Sequence, residues 1–176
     1  MNTMDTICSR RTIRSYTGEG LCETELADIL KAANASPVGR GQFQNVHLTV
    51  ISDPALVSEI DAAGAADLGK QPGQVLYGAP LLILVSAVVT PGIENVGYSN
   101  AAIMVQNMAL AAADMGIGAC HIWGAVRSLN ERPQLLARLP IPEGFTACCA
   151  LALGKTDEVY ELRDIPEDKF AKSFVK

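Results

Sequence analysis

Apolar and polar positions alternate along the chain with two periods, three to four residues in some stretches and two residues in others. The longer period predicts helices and the shorter one strands. Helices are expected over residues 3–9, around residues 26–35, from residue 54, over 98–115 and over 128–139. Strands are expected over residues 46–51, 80–88, 119–122 and 146–153. Because the two kinds of element interleave without a regular strand–helix repeat, the pattern predicts an α+β fold.

Local signals mark the ends of several of these elements. Asn2 or Thr3 can cap the first helix, and Asp53 stands before a proline at the first position of another. The glycine-rich residues 64–78 are expected to be irregular. The longest predicted helix, with Ser99 or Asn100 near its cap, carries apolar side chains around almost its whole circumference. Such a helix is typical of a core or of an interface between subunits.

The composition favours a single domain that associates with a second copy of itself. The 176 residues allow one substantial core, and 49% hydrophobic against 19% charged residues is apolar for a chain of this size. A subunit interface would bury the surplus. With 14 basic and 19 acidic residues, nucleic-acid binding is disfavoured. No apolar stretch reaches the roughly 20 residues of a membrane span, and no signal peptide is visible, so we expect a cytoplasmic protein without a membrane partner.

The cysteines and histidines do not form a recognisable catalytic or metal-binding motif. Five cysteines lack CxxC spacing and are expected to be reduced thiols; if the adjacent Cys148 and Cys149 lie on a strand, they should point to opposite faces. With only His47 and His121, no zinc or iron site is predicted. No Ser/His/Asp or Cys/His set can be assembled, so no catalytic side chain is predicted. An enzyme of this kind would take its chemistry from a cofactor.

The sequence Arg10-Arg11-Thr12-Ile13-Arg14 is a candidate anion site. An extended backbone would place Arg10, Thr12 and Arg14 on one side, where two guanidinium groups and a hydroxyl can bind a phosphate. A solvated basic face is the alternative. Ile13 among the charges indicates that the segment packs against the rest of the protein.

Two glycine-containing segments are weaker candidates. In Ser36-Pro37-Val38-Gly39-Arg40-Gly41, two glycines would let backbone amides approach a planar or anionic ligand, although an ordinary helix-to-strand turn is equally consistent. The only tryptophan, Trp123, precedes Gly124 after a short predicted strand. It fits either core packing or the wall of a pocket for an aromatic cofactor.

Taken in order, these segments resemble the FMN-dependent nitroreductase family. The family's Arg-Arg-Ser-x-Arg corresponds to residues 10–14, its Ala-Pro-Ser-x-x-Asn loosely to 36–41, and its Ala-Pro before a buried strand to 79–83. Its alanine-rich helix leading into Gly-Leu-Gly-x-Cys is similar to residues 100–120. Its Leu-Pro-x-Gly-Phe and last apolar strand are similar to 141–145 and 151–154. The resemblance covers about residues 7–174, and we expect residues 1–176 to form one FMN-binding domain.

The resemblance implies a fold and a site. The expected fold is a central, mainly antiparallel sheet surrounded by helices, with a long helix as the dimer spine and a C-terminal tail docking on the partner subunit. The opening arginine motif and a tail cation would hold the FMN phosphate and ribityl chain, the glycine loop would reach the flavin of the other subunit, and a backbone amide after the third strand would face flavin N5. The implied cofactor-binding residues are Arg10, Arg11, Thr12, Arg14, Pro37, Val38, Gly39, Gly41, Ile122, Trp123, Gly124 and Arg163.

The resemblance also implies an activity. The expected enzyme is a homodimeric oxidoreductase that transfers hydride in a ping-pong cycle from NADH or NADPH, through flavin N5, to a small acceptor such as a nitroaromatic compound or a quinone. Dehalogenation or flavin breakdown on the same fold is an alternative, as is flavin storage or sensing without turnover. A soluble dimer that binds another phosphorylated metabolite is the alternative outside the family.

Overall fold

A computed structural model describes residues 2–175 and contains a four-stranded antiparallel sheet with helices on both faces. The elements, in chain order, are α1 Thr3–Ser9, α2 Glu23–Asn34, β1 Val46–Ile51, α3 Pro54–Leu68, β2 Leu81–Val88, α4 Glu94–Asp114, β3 Gly118–Ile122, α5 Gly124–Asn130, α6 Pro133–Leu136 and β4 Phe145–Gly154. Two short 3-10 turns, Gly39–Gly41 and Phe43–Asn45, precede β1. The strand order is β1-β2-β4-β3, so β1 and β3 form the sheet edges. The predicted α+β fold is confirmed.

The two faces of the sheet carry separate apolar layers. Leu82 and Leu84 of β2 point to the layer shared with α3 and α5, whereas the alternate residues Leu81, Ile83 and Val85 point to the layer shared with α2 and α4. Because successive strand residues face opposite sides, a continuous apolar run such as β2 is buried on both faces. All four strands thereby lie between two layers of helices.

A β-bulge changes the orientation of two cysteines in β4. The pairing of β2 with β4 shifts between Val85 and Ser86, so that Cys149 pairs with Val85 and Ala147 pairs with Ser86. Cys148 is the extra residue, and an extra residue breaks the alternation of side chains. Cys148 and Cys149 consequently both join the layer next to α4. The prediction that they point to opposite faces is wrong for this reason.

Helix α3 begins where the sequence predicts and ends later than expected. The Asp53 carboxylate accepts hydrogen bonds from the amides of Ala55 and Leu56, at 2.9 and 3.4 Å, and Pro54 occupies the first turn. Gly64, expected in an irregular segment, lies inside the helix. A Cβ there would be 3.0 Å from the Cα of Ala125, so glycine lets α3 and α5 approach closely. The irregular segment starts only at Gly69, which has a left-handed φ of 63°.

Helix α4 begins before its predicted start. It starts at Glu94, and no side chain caps it, so the prediction of Ser99 or Asn100 near the cap is wrong. The sequence signal was masked by Gly97, which reads as a breaker. A Cβ at Gly97 would lie 2.9 Å from the carbonyl oxygen of Val88, so glycine is needed where the helix crosses the end of β2. Ile103 on this helix is 39% exposed, a large apolar side chain in contact with solvent.

The helix predicted over residues 128–139 is two shorter helices. The backbone of Arg132 is not helical (φ −125°, ψ 79°), as expected for a residue that precedes proline. Pro133 then opens α6. Within residues 2–175, no helix is long and apolar enough to cross a membrane.

Candidate functional site

The arginine segment, residues 10–14, runs along the free edge of β3. The Ile13 amide donates a hydrogen bond to the carbonyl of Ala119 at 3.0 Å, and the Ile13 side chain is fully buried. The Tyr16 hydroxyl donates towards the carbonyls of Ile13 and Ala152, at 3.2 and 3.3 Å. These contacts fix the segment in an extended form. The expectation that the segment packs against the rest of the protein is confirmed by the burial of Ile13, whereas Arg14 is exposed.

Arg10 lies in a basic and aromatic environment near the end of α1. Burial lowers the pKa of His121, and the charge of Arg10 lowers it further. Burial raises the pKa of Tyr160 to about 12, against the influence of Arg10. Arg163 of the tail donates from Nε to the carbonyl of Cys8 at 2.8 Å and from Nη2 to the carbonyl of Arg10 at 2.7 Å. The structure thus brings the tail arginine beside Arg10, through main-chain carbonyls.

Arg11 and Thr12 differ from their neighbours in accessibility and pairing. Arg11 forms an ion pair with Glu158 at 2.9 Å, and both side chains are well exposed. Such a pair contributes little stability and can be exchanged for another anion. Thr12 is half-buried.

Arg14 lines a cavity together with residues that the sequence analysis did not select. Arg14, Lys70, Gly73, Gln74 and Tyr77 line an open surface pocket of about 420 Å³. The guanidinium carbon of Arg14 lies 5.4 Å from the centre of the Tyr77 ring, within the range of a cation–π contact. Within the described residues, neither Arg14 nor Lys70 is ion-paired to a carboxylate. We call this site the Arg14 pocket.

The turn that carries Gln74 and Tyr77 is held by a buried carboxylate. Asp61 of α3 accepts hydrogen bonds from the amides of Gly73, Val75 and Leu76, the last two at 3.1 and 2.5 Å. Tyr77 then follows with φ 59°. A left-handed backbone costs a non-glycine residue about 1–3 kcal/mol, and such strain concentrates at functional sites. Nothing in the local sequence signals this conformation, because tyrosine is not a residue that favours it.

Trp123 and Gly124 follow the end of β3 at the start of α5. The Trp123 side chain is 58% exposed, so its role is not core packing. Ile122 is buried in the sheet. A Cβ on Gly124 would lie 2.6 Å from Leu68 Cδ1, so glycine allows the end of α3 to approach here. No side chain within the described residues caps α5, which leaves its first amides available as donors.

The glycine loop, residues 37–41, contacts the N-terminal part of α4. The Gly39 amide donates to Asn100 Oδ1 at 3.0 Å, and Ser36 accepts from Asn107 Nδ2 at 2.8 Å. Pro37, Val38 and Gly41 are exposed or half-buried. Arg40 has φ 59°. Arg40 and Tyr77 are the two non-glycine residues with positive φ among those described. Arg40 lies in the glycine loop, and Tyr77 lies beside Arg14 but outside the segments that the sequence analysis selected.

The two parts of the predicted site contact α4 far apart in one chain. Thr6, in the helix that leads into the arginine segment, donates to Asp114 at 3.3 Å, whereas Gly39 contacts Asn100. Asn100 and Asp114 are fourteen positions apart on α4, which corresponds to about 21 Å at 1.5 Å per residue. The glycine loop and the start of the arginine segment are therefore not adjacent within one subunit.

A larger cavity, of about 610 Å³, contains none of the predicted site residues. Its walls are mainly apolar and include Leu26, Val50 and Leu81. Asp61 also borders it, but its carboxylate oxygens are occupied by the three turn amides. We therefore place the candidate site at the Arg14 pocket, where unpaired cations and an aromatic ring meet. Among the described residues, no cluster of three or more His, Cys, Asp or Glu side chains could hold a metal ion.

Comparisons with known proteins agree on one family. A family model described as Nitroreductase family matches residues 7–155. The protein named FMN reductase (NADPH) from Bacillus subtilis is 30% identical over 166 residues, which cover 87% of this chain and 65% of that protein. This chain thus spans less than two thirds of the length of that relative. The NADPH-flavin oxidoreductase of Vibrio harveyi is 25% identical over 174 residues, covering 92% of this chain and 69% of that protein.

A solved structure supports the same relationship. The crystal structure of a nitroreductase with bound FMN from Desulfitobacterium hafniense matches this chain with a TM-score of 0.84 and 25% sequence identity. The match covers 99% of this chain and 100% of the other. A nitroreductase with bound FMN from Bacteroides fragilis matches with a TM-score of 0.80 at 21% identity, which supports the fold.

Proposed function

The chain belongs to the nitroreductase family, and on that basis we propose that it is an FMN-dependent oxidoreductase that takes electrons from NADH or NADPH. Relatives are named FMN reductase (NADPH) and NADPH-flavin oxidoreductase, which supports a flavin-reducing activity. The acceptor we propose is a small molecule such as a nitroaromatic compound or a quinone, which uses the same site after the donor has left. The membership bears out the resemblance drawn from the motifs.

The observation that carries the proposal is the Arg14 pocket. Arg14 and Lys70 are two cations without a carboxylate partner in the described structure, and they share a cavity with the Tyr77 ring. A cavity with this lining suits a planar, aromatic ligand that has an electron-rich polar edge. The extended arginine segment leads from this pocket to Arg10, where a phosphate can bind.

The residues present fit FMN. Its phosphate is a dianion, and we assign it to Arg10, Thr12 and Arg163, which supply guanidinium and hydroxyl donors. The Arg163 guanidinium already lies against the main-chain carbonyl of Arg10. Its ring system is flat and largely apolar; Tyr77 offers an aromatic surface beside the Arg14 guanidinium, and the exposed Trp123 ring offers a second one after β3. We assign the ribityl chain and the polar ring edge to Thr12, Arg14 and Lys70. Bound FMN would supply hydride transfer at N5.

The chain's own residues bind and orient rather than exchange protons. Gly124, which opens α5, has a backbone amide without an intrahelical acceptor, and we assign it as a donor to the ring, with Ile122 and Trp123 alongside. Arg14 stays protonated, because hydrogen bonding to the Tyr77 side chain raises its already high pKa. We assign no side chain as an obligate acid or base.

We further propose that the active protein is a homodimer with two shared sites. The glycine loop, with Pro37, Val38, Gly39 and Gly41, contacts α4 about 21 Å from the contact made by α1. The glycine loop of one subunit can therefore complete the site of the partner, although it cannot reach the site of its own chain. Exposed apolar side chains on α1, on α4 and on the tail, such as Met4, Ile103 and Phe174, supply surface for that contact.

An anaerobic visible spectrum, recorded before and after addition of NADH and then NADPH, tests the proposal. We expect flavin absorption in the protein as purified or after incubation with FMN, and bleaching by at least one of the two donors. Absence of flavin binding under either condition would contradict the assignment of the site. Flavin bands that persist with both donors would instead favour storage or sensing.

Acceptor assays then separate the enzymatic alternatives. Re-oxidation of the donor-reduced protein by a nitroaromatic compound or a quinone is the expected result. Halide release from a halogenated phenol would indicate a dehalogenase. Loss of FMN itself, with oxygen as the acceptor, would indicate flavin breakdown.

A further inference from the structure

Tyr77 stands out because its backbone conformation is unfavourable for its residue type. Its φ is 59°, and the next residue, Gly78, has φ 74°. Glycine adopts this region freely and tyrosine does not. The turn before Tyr77 is held rigidly by the three amide hydrogen bonds to Asp61. The backbone therefore dictates a left-handed residue at this position, and the presence of a large side chain there requires a reason.

The contact with Arg14 supplies that reason. The Tyr77 ring centre lies 5.4 Å from the guanidinium carbon of Arg14, and both side chains line the same cavity. Cys120 is buried; burial raises the pKa of its thiol, and the nearby charge of Arg14 opposes that rise. Arg14 has no carboxylate partner among the described residues. The Tyr77 ring thus restricts the orientation of this otherwise exposed arginine.

We propose that Tyr77 is a positioning residue that holds the Arg14 guanidinium in the orientation in which it binds the cofactor. A free arginine side chain has many rotamers, and ordering it on ligand binding opposes affinity. A ring already in contact with the guanidinium reduces that loss in the ligand-free protein. This inference rests on the proposed FMN site, but it concerns the order of Arg14 before any ligand binds.

The test uses the full-length apoprotein and five variants: Arg14→Ala, Tyr77→Phe, Tyr77→Leu, Tyr77→Gly and the double variant Arg14→Ala/Tyr77→Leu. The dissociation constant for FMN is measured by quenching of flavin fluorescence. We expect Tyr77→Leu to weaken binding by about three- to thirtyfold, the range of a cation–π contact. Tyr77→Phe keeps the ring and should lie between wild type and Tyr77→Leu.

Two readouts separate positioning from a general structural role. If Tyr77 acts through Arg14, Tyr77→Leu should cause no further loss of affinity in the Arg14→Ala background, whereas independent roles would give multiplicative losses. Tyr77→Gly should also bind FMN more weakly than wild type, because glycine adopts the left-handed backbone freely but lacks the ring that contacts Arg14. Multiplicative losses, or wild-type affinity of Tyr77→Leu, would overturn the proposal.

A measurement without ligand distinguishes this inference from the proposed function. Nitrogen-15 relaxation of the arginine Nε–H groups in the ligand-free protein should show Arg14 ordered in wild type and mobile in Tyr77→Leu. Equal mobility in the two proteins would overturn the positioning role even if FMN binds. An ordered Arg14 in a wild-type protein that does not bind FMN would instead contradict the cofactor assignment alone.

Discussion

At the scale of single residues, the candidate site depends on groups whose neighbours change their properties. His121 illustrates this, because it lies half-buried on β3 with Arg10 close by. Burial and the arginine charge both disfavour the imidazolium form. Arg14, by contrast, is exposed and keeps its charge beside an aromatic ring. The two ends of one short arginine segment therefore have different electrostatic surroundings.

His121 should make the stability of the protein depend on pH. Its pKa in the folded protein is lowered from 6.5, so the unfolded chain binds a proton first as the pH falls. The free energy of unfolding should therefore decrease as the pH falls below about 6.5. One proton can change it by at most about 1.4 kcal/mol per pH unit, and we expect a smaller slope than that. Urea unfolding between pH 5 and 8 measures the slope. His121→Gln should flatten it, with His47→Gln as the matched control; an unchanged slope in His121→Gln would refute the assignment.

The sequence identified the arginine segment but not the residues that complete its pocket. Repeated charges around Ile13 are visible in a linear pattern, whereas Lys70, Gln74 and Tyr77 are brought to Arg14 only by tertiary contacts. The Asp61 carboxylate that holds their turn is twelve or more residues away from the amides it binds. No local signal could have predicted that contact. The assignment of each cofactor-binding residue stays a prediction.

At the scale of elements, caps and alternation predicted most helices and strands well. The β1 bounds, the Asn2 cap of α1 and the Asp53–Pro54 start of α3 are confirmed. Two of the errors arose at Gly64 and Gly97, which lie inside helices because neighbouring backbone approaches them closely. Read locally, glycine predicts a break. In the folded protein, each of these glycines instead stands where neighbouring backbone leaves no room for a side chain.

Gly97→Ala provides a test of that interpretation. Replacing a glycine by alanine within a helix normally stabilises it by about 1 kcal/mol. At Gly97, however, the new Cβ would lie 2.9 Å from the Val88 carbonyl oxygen, a backbone atom that cannot move independently. We expect destabilisation by about 1–3 kcal/mol, measured by urea unfolding. Ser99→Ala, on the exposed side of the same helix, is the control. A Gly97→Ala variant as stable as wild type would show that α4 can shift without loss.

At the scale of the whole molecule, the fold holds apart the arginine segment and the glycine loop, the two parts that the proposed FMN site must bring together. The arginine segment follows α1 at one end of α4, and the glycine loop lies at the other end. The central antiparallel sheet and its flanking helices match the fold that the resemblance implied. Dimer formation and tail docking stay predictions, because the relevant contacts involve a second chain. The exposed apolar residues of α4, such as Ile103, would form part of the proposed dimer interface.

Ile103→Glu tests whether association and cofactor binding are linked. A buried charge at an apolar interface is unfavourable, so we expect the variant to be a monomer by sedimentation velocity. It should bind FMN more weakly than wild type by at least about tenfold, since the partner's glycine loop would be missing. Gln134→Glu, on α6, adds the same charge and should leave both properties unchanged. Circular dichroism checks the fold. A monomeric Ile103→Glu protein with wild-type FMN affinity would contradict the shared site.

The bulge in β4 has a chemical consequence for the protein's sulfur atoms. It places Cys148 and Cys149 together inside the sheet, where burial raises the pKa of the first thiol to about 11 and of the second to about 12. At neutral pH both are protonated and therefore poor nucleophiles. An alkylating reagent can reach them only when this part of the sheet opens. The rate of their alkylation would thus report how often this part of the native sheet opens.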